Sequence, residues 1–163
     1  MSTPLPLAPL LVIGVGNPSR GDDALGPLFV ERLGAVLAGE IARGEVEVLT
    51  DFQLQVEHAL DIAGRARVFF VDASVSAAPP FELARVAPER DASFSTHALS
   101  PAAVLETCHR VLGSTPESWV VAIRGERFEL GDPLSPAAEA HLAAAVDDVG
   151  AALVRDTRGR RSA

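Results

Sequence analysis

Three residues in this chain have the types and the setting for metal chemistry: Asp23, Asp72 and His97. Asp23 closes the stretch Gly14-Val-Gly16-Asn17-Pro-Ser-Arg-Gly-Asp22-Asp23. Asp72 directly follows the apolar run Val68-Phe-Phe-Val71, and His97 ends a polar segment ahead of Ser100-Pro101. Two carboxylates supply anionic oxygens and an imidazole supplies a nitrogen, a donor set that suits nickel or zinc and leaves coordination positions open. Each residue also reads as a helix cap, a turn residue or a surface histidine, and spacing alone does not separate these readings.

The elements that must position the three follow from hydrophobic patterning. Leu11 to Val15 is an unbroken apolar run, as expected of a parallel strand covered by helices on both faces. Gly14 and Gly16 let the chain turn there without a Cβ clash. Leu25, Leu28, Phe29, Leu33 and Leu37 then fall on one helical face. Asp22 reads as the N-cap of that helix and Asp23 as an acid at the positive end of its dipole, although capping needs only one of them.

A short strand over 46–49 ends in the turn Thr50-Asp51-Phe52-Gln53, and a short helix over 54–62 stops at Gly64. The segment 66–71 is the clearest buried strand. Phe81 to Val86 alternates as an edge strand would, and Trp119 to Ile123 is another buried strand. Gly39 to Gly44 reads as a polar break. Ser100-Pro101 and Ser135-Pro136 are cap and first-turn pairs that open helices to about Leu112 and about Val154. Residues 1–9 form a lead-in, and 155–163 read as a frayed charged tail. Alternating strands and helices give a single domain over 1–163, a three-layer α/β/α sandwich with a mostly parallel central sheet. Ligands of such sheets bind at the carboxyl ends of the strands, where this reading puts Asn17, Asp23, Asp51, Gln53 and Asp72.

Composition narrows the function classes. The chain has 163 residues, 48% of them hydrophobic, enough for a full core. A net charge of −8 and a pI near 4.9 oppose nucleic-acid and anionic-membrane partners. The single cysteine, Cys108, excludes an internal disulfide and a Cys-rich metal site, and it fits a helical core position. No signal-peptide pattern appears, so a cytoplasmic location is expected. His58, His109 and His141 read as structural or solvated. There is no G-x-S-x-G elbow, no H-E-x-x-H and no Walker A sequence, and the dinucleotide fingerprint fails because Ser19 stands where its third glycine belongs.

The pattern Gly14-Val-Gly16-Asn17, four residues, Asp22-Asp23-Ala-Leu-Gly26, then Val71-Asp72-Ala73 and His97, resembles the nickel–iron hydrogenase maturation endopeptidases over nearly the whole domain. In that family the second acid of the pair, the aspartate after the third strand and the loop histidine bind metal. These correspond to Asp23, Asp72 and His97. The resemblance implies an endopeptidase that removes a C-terminal extension from the hydrogenase large-subunit precursor and recognises the nickel already inserted there. Nickel is then supplied by the substrate rather than stably bound, and another divalent metal can occupy the same residues. The implied partner is that precursor, and a monomer is expected. The catalytic group stays unassigned; a metal-polarised carbonyl or activated water is the physical route.

Two departures stand out. Asp23 replaces the glutamate of some relatives, and Asp51-Phe52-Gln53 replaces a glycine-rich turn, which is similar to the branch serving bidirectional NAD-linked hydrogenases. Asn17, Asp51 and Gln53 are candidate substrate contacts, with a plain turn role equally open for the last two. Two rivals remain. One is a noncatalytic metal-sensing chaperone of the precursor. The other is a peptidyl-tRNA hydrolase-like enzyme, which shares Gly-x-Gly-Asn-Pro but needs a basic surface that this chain lacks.

Overall fold

Strand β1 (Leu10–Val15) is buried along its whole length, so both of its faces must be covered. The computed structural model, which describes residues 3–90 and 98–163, supplies a layer of helices on each side. After β1 come a 3-10 turn (Gly21–Ala24), α1 (Leu25–Val36), α2 (Ala38–Ala42), β2 (Val46–Asp51), α3 (His58–Ile62) and β3 (Arg67–Ser74). The chain continues through β4 (Phe81–Val86), α4 (Pro101–Leu112), β5 (Glu117–Arg124) and α5 (Pro136–Ser162). The sheet order is β2-β1-β3-β5-β4, parallel except for β4, which runs antiparallel at the edge. The α/β sandwich expected from the sequence is therefore present.

Alternate residues of β1 feed two cores. Leu10 and Val12 join Leu25, Phe29, Leu33 and Leu37 of the first helical segment and Leu142, Val149 and Leu153 of α5. Leu11, Ile13 and Val15 pack on the other face with Ile62 of α3 and with Val104, Leu105 and Cys108 of α4. Cys108 is wholly buried, as its helical spacing indicated.

The register levels the strand ends that matter. Gly14 lies opposite Thr50 on one side and Val71 on the other, so the turn after β1, Asp51 and Asp72 emerge at one edge. From β1 the order leads to β2 in one direction and to β3 in the other. That reversal opens a crevice at the carboxyl ends. Helix α1 lies very close to the sheet here: a Cβ on Gly14 would strike the Gly26 carbonyl and sit 2.6 Å from Val30 Cγ2. Gly14 thus serves close packing, not only the turn.

Four local expectations are corrected. The supposed polar break at Gly39–Gly44 contains α2. Helix α3 begins at His58 rather than Leu54, whose side chain is instead drawn into the core. Asp22 caps no helix, for the reason given below. The last helix does not fray after Val154: Arg67 pairs with Asp156 at 2.9 Å, and Arg161 reaches Glu45 at 3.3 Å and Glu40 at 3.8 Å, so α5 continues to Ser162. Both Ser-Pro signals hold, with Ser100 and Ser135 accepting from the backbone N–H of Ala103 and Ala138. Among the described residues no helix is long and apolar enough to cross a membrane.

Two glycine substitutions test the packing. Gly14→Ala should cost about 3 kcal/mol by overpacking and lower Tm by roughly 6–12 °C. Gly34→Ala, in α1 with nothing within 4 Å of its added Cβ, should stabilise by about 0.5 kcal/mol or more. Equal Tm values for the two variants would contradict the close contact.

Candidate active site

The turn after β1 is built so that two adjacent aspartates point opposite ways. At Gly16 φ is +145°, and an added Cβ would strike the Asp23 carbonyl, so only glycine fits. The Gly16 N–H donates to the Asp51 carbonyl at 3.0 Å, tying this turn to the end of β2. The Asn17 backbone N–H donates to Asp23 Oδ2 at 2.7 Å, and Asn17 Oδ1 accepts from the Ser19 N–H at 2.9 Å. Asp23 is thereby folded back toward the strand end, half-buried. Among the described residues its other oxygen, Oδ1, accepts no hydrogen bond.

Asp22 goes inward and is fully buried. Its carboxylate accepts from the backbone N–H groups of Glu126 (2.7 Å), Arg127 (3.0 Å) and Ser135 (2.7 Å), and from Ser135 Oγ (2.7 Å). Burial alone would raise its pKa; these donors outweigh it and hold the carboxyl below its usual 3.8. Instead of capping α1, Asp22 latches the turn to the β5–α5 loop. Two backbone bonds reinforce the latch, Gly21 N–H to Asp132 O (3.1 Å) and Asp22 N–H to Arg127 O (2.7 Å).

Asp72 leaves β3 across the crevice. Its residue surface meets solvent, yet the surrounding protein strips much of its hydration, and this burial pushes its carboxyl up to about 6. The Ala73 N–H, 2.8 Å from Asp72 Oδ1, opposes the rise, and the Asp23 charge adds to it. Both carboxylates line a cleft of about 330 Å³ whose floor includes Val15 and Phe70 and whose walls carry Gln53, Leu99 and Ser100. Ser100 is the one hydroxyl in that lining among the described residues, and it is engaged as the cap of α4. Among the described residues no free hydroxyl or thiol lines the cleft.

The other expected residues divide. Gln53 lines this cleft, while Asp51 lines an adjoining hollow. Asn17 lines neither and acts on Asp23 through its main chain. His97 lies outside the described residues. Among the described residues no three His, Cys, Asp or Glu side chains gather as a metal-holding group. Of the remaining histidines, His141 donates from Nδ1 to the Arg124 carbonyl (2.8 Å), and His109 pairs with Thr115 (2.9 Å). Sequence reasoning missed the partners of Asp22, which lie more than 100 residues away. His58 takes the structural of its two expected roles: this buried imidazole takes the Gln55 N–H on Nδ1 (2.8 Å) and sets Nε2 3.4 Å from Asp51.

No protein-family model matches the chain, and no curated protein is significantly similar to it in sequence. Solved structures do match. The hydrogenase maturating endopeptidase HybD from E. coli is 28% identical, with a TM-score of 0.67, over 90% of this chain and 93% of its own. The NiFe hydrogenase maturation protease HycI from Thermococcus kodakarensis KOD1 has the same TM-score at 23% identity, covering 86% and 89%. A hydrogenase 2 maturation peptidase from a Thaumarchaeota archaeon has a TM-score of 0.59 at 22% identity, covering 88% and 97%. The resemblance to the maturation proteases therefore extends to the three-dimensional fold.

The two inner carboxyls predict opposite pH behaviour. Asp22→Ala leaves the buried Ser135 N–H and the part-buried Glu126 and Arg127 N–H groups without their acceptor, and should cost about 1–3 kcal/mol at pH 7. Because the Asp22 pKa is lowered on folding, its stabilisation is present above 3.8 and is lost as pH falls through the lower, folded value. For Asp72 the folded pKa is raised, so its contribution is intact below 3.8 and is lost as pH rises through about 6. Asp72→Asn should accordingly be the more stable protein at pH 7.5, by about 1 kcal/mol once solvent screening is allowed for, and should match the parent near pH 3.5. Urea midpoints at the two pH values read both effects.

Proposed function

We propose that this chain is an endopeptidase that removes a C-terminal extension from the large-subunit precursor of a nickel–iron hydrogenase. The observation that carries the proposal is that Asp23 and Asp72 open on one cleft at the switch point of a fold shared with hydrogenase maturation proteases.

The substrate brings the nickel. Two carboxylates close enough for one charge to raise the pKa of the other repel when both are ionised, and a dication between them relieves that repulsion. Each also keeps an oxygen that no described residue occupies. Oxygen donors with an imidazole suit nickel, and His97 is assigned the third place on the sequence resemblance. Nickel recognition thus rests on the donor chemistry and on that resemblance.

Ser100, the one hydroxyl among the described lining residues, is committed as a cap, and this reading takes an activated water as the nucleophile. Its oxygen adds to the scissile carbonyl carbon, the C–N bond breaks, and the leaving amine takes up a proton. The residues of this chain hold the substrate's metal centre against the cleft so that the adjoining peptide is presented there. Asn17 holds Asp23 in place, Gln53 contacts the bound polypeptide, and Asp51 orders the turn beside it. The turn Asp51-Phe52-Gln53 supports the branch that serves bidirectional NAD-linked hydrogenases. A monomer acting in the cytoplasm fits this role.

The test compares nickel-loaded and nickel-free precursor by intact mass. The purified chain should release a short C-terminal peptide from the loaded form alone. Asp23→Asn, Asp72→Asn and His97→Ala should each slow release by about a hundredfold or more while remaining folded. Binding of the loaded precursor without any cleavage would replace the protease reading with that of a metal-sensing chaperone.

A further inference from the structure

A second hollow, of about 260 Å³, adjoins the acidic cleft and is lined by Gly16, Pro18, Pro27, Thr50, Asp51 and Phe52. The two hollows share Gly16 and Phe52. Phe52 is 69% exposed, so its ring contributes little to the core, and it stands as a ridge between them. The turn that carries this ridge is braced. The Phe52 N–H donates to Asp51 Oδ1 at 2.7 Å, and Asp51 Oδ2 faces Nε2 of the buried His58. His58 Nδ1 accepts the Gln55 N–H, which leaves the Nε2 proton directed at Asp51.

An exposed aromatic ring on a braced turn beside a cleft is a surface held ready for a ligand. The hollow's side-chain walls are mainly apolar, from Pro18, Pro27 and Phe52, and both Asp51 oxygens already have partners. An extended polypeptide advances about 3.3 Å per residue and alternates its side chains. A chain whose scissile bond lies at Asp23 and Asp72 therefore brings a neighbouring side chain to a hollow that shares their walls.

We propose that this second hollow is a subsite of the proteolytic site that takes one apolar side chain within two residues of the cleaved bond, with Phe52 as the specificity-determining residue. The inference rests on the endopeptidase reading above. Phe52 contacts the substrate's side chain and not its reacting atoms, so it sets KM and selectivity.

The test uses the full chain and a precursor. Each residue within three of the cleaved bond is changed in turn to alanine, and kcat/KM is measured for the parent and for Phe52→Ala. For the parent, one position should lose about tenfold on truncation. For Phe52→Ala that loss should shrink to within about threefold. On the unaltered precursor the variant should show its defect in KM, with Phe52→Leu restoring most of it. Phe52 lies outside both cores, so the variant should fold, which its Tm checks. A parent that cleaves while Phe52→Ala keeps the full side-chain dependence overturns the subsite and leaves the protease reading standing. A sensitive position that prefers arginine to leucine overturns it as well, in favour of selection by Asp51. A parent that cleaves no precursor overturns both.

Discussion

The buried carboxylate of Asp22 is the interaction on which the rest of the site depends. A charge with no exposed surface survives only where donors replace its hydration, and here three main-chain N–H groups and one hydroxyl do so. Those donors come from the β5–α5 loop, and one of them, Ser135, also caps α5. One side chain thus fixes the start of α1, the end of β5 and the start of α5 against each other. Asp23, the next residue, inherits that rigidity and presents its carboxylate to the cleft.

Consecutive acids therefore have unlike environments and unlike work. Asp22 is solvated by protein and stays ionised to low pH. Asp72, which faces Asp23 in the cleft, accepts only the Ala73 N–H among the described residues, so loss of water drives its carboxyl upward, with the Asp23 charge adding to the rise. Burial acts on both. The number of donors decides the sign.

Most of the architecture was legible because the signals were local. The apolar runs of β1 and β3, the helical face of Leu25, Phe29, Leu33 and Leu37, and the caps at Ser100 and Ser135 each depend on residues a few positions apart. The pairing of Asp23 with Asp72 was legible too, since strand order and the carboxyl-edge rule bring the ends of β1 and β3 together. What escaped was set by distant partners. Nothing near Asp22 announces the Glu126, Arg127 and Ser135 donors, so it read as a helix cap. The persistence of α5 past Val154 depends on ion pairs with Arg67, Glu40 and Glu45, residues with no sequence relation to the tail. His58 read as structural or solvated with no partner named, because Asp51 lies at the end of β2 rather than on its own helix face.

The turn from Gly16 to Asp23 is closed like a buckle. The Asn17 main chain meets the Asp23 side chain, the Arg20 N–H meets the Asn17 carbonyl at 3.1 Å, and the Asp23 N–H meets the Arg20 carbonyl at 3.0 Å. Pro18, Ser19 and Arg20 lie on its outer, exposed rim. The side chains of Ser19 and Arg20 can be exchanged, but the number of residues cannot. One residue fewer would bring Asp23 into the latch and leave Ala24 at the cleft, and one residue more would bring Gly21 into the latch and leave its donors without a charge. The segment is tolerant in composition and intolerant in length, so drift in this protein should appear there as substitution and never as insertion.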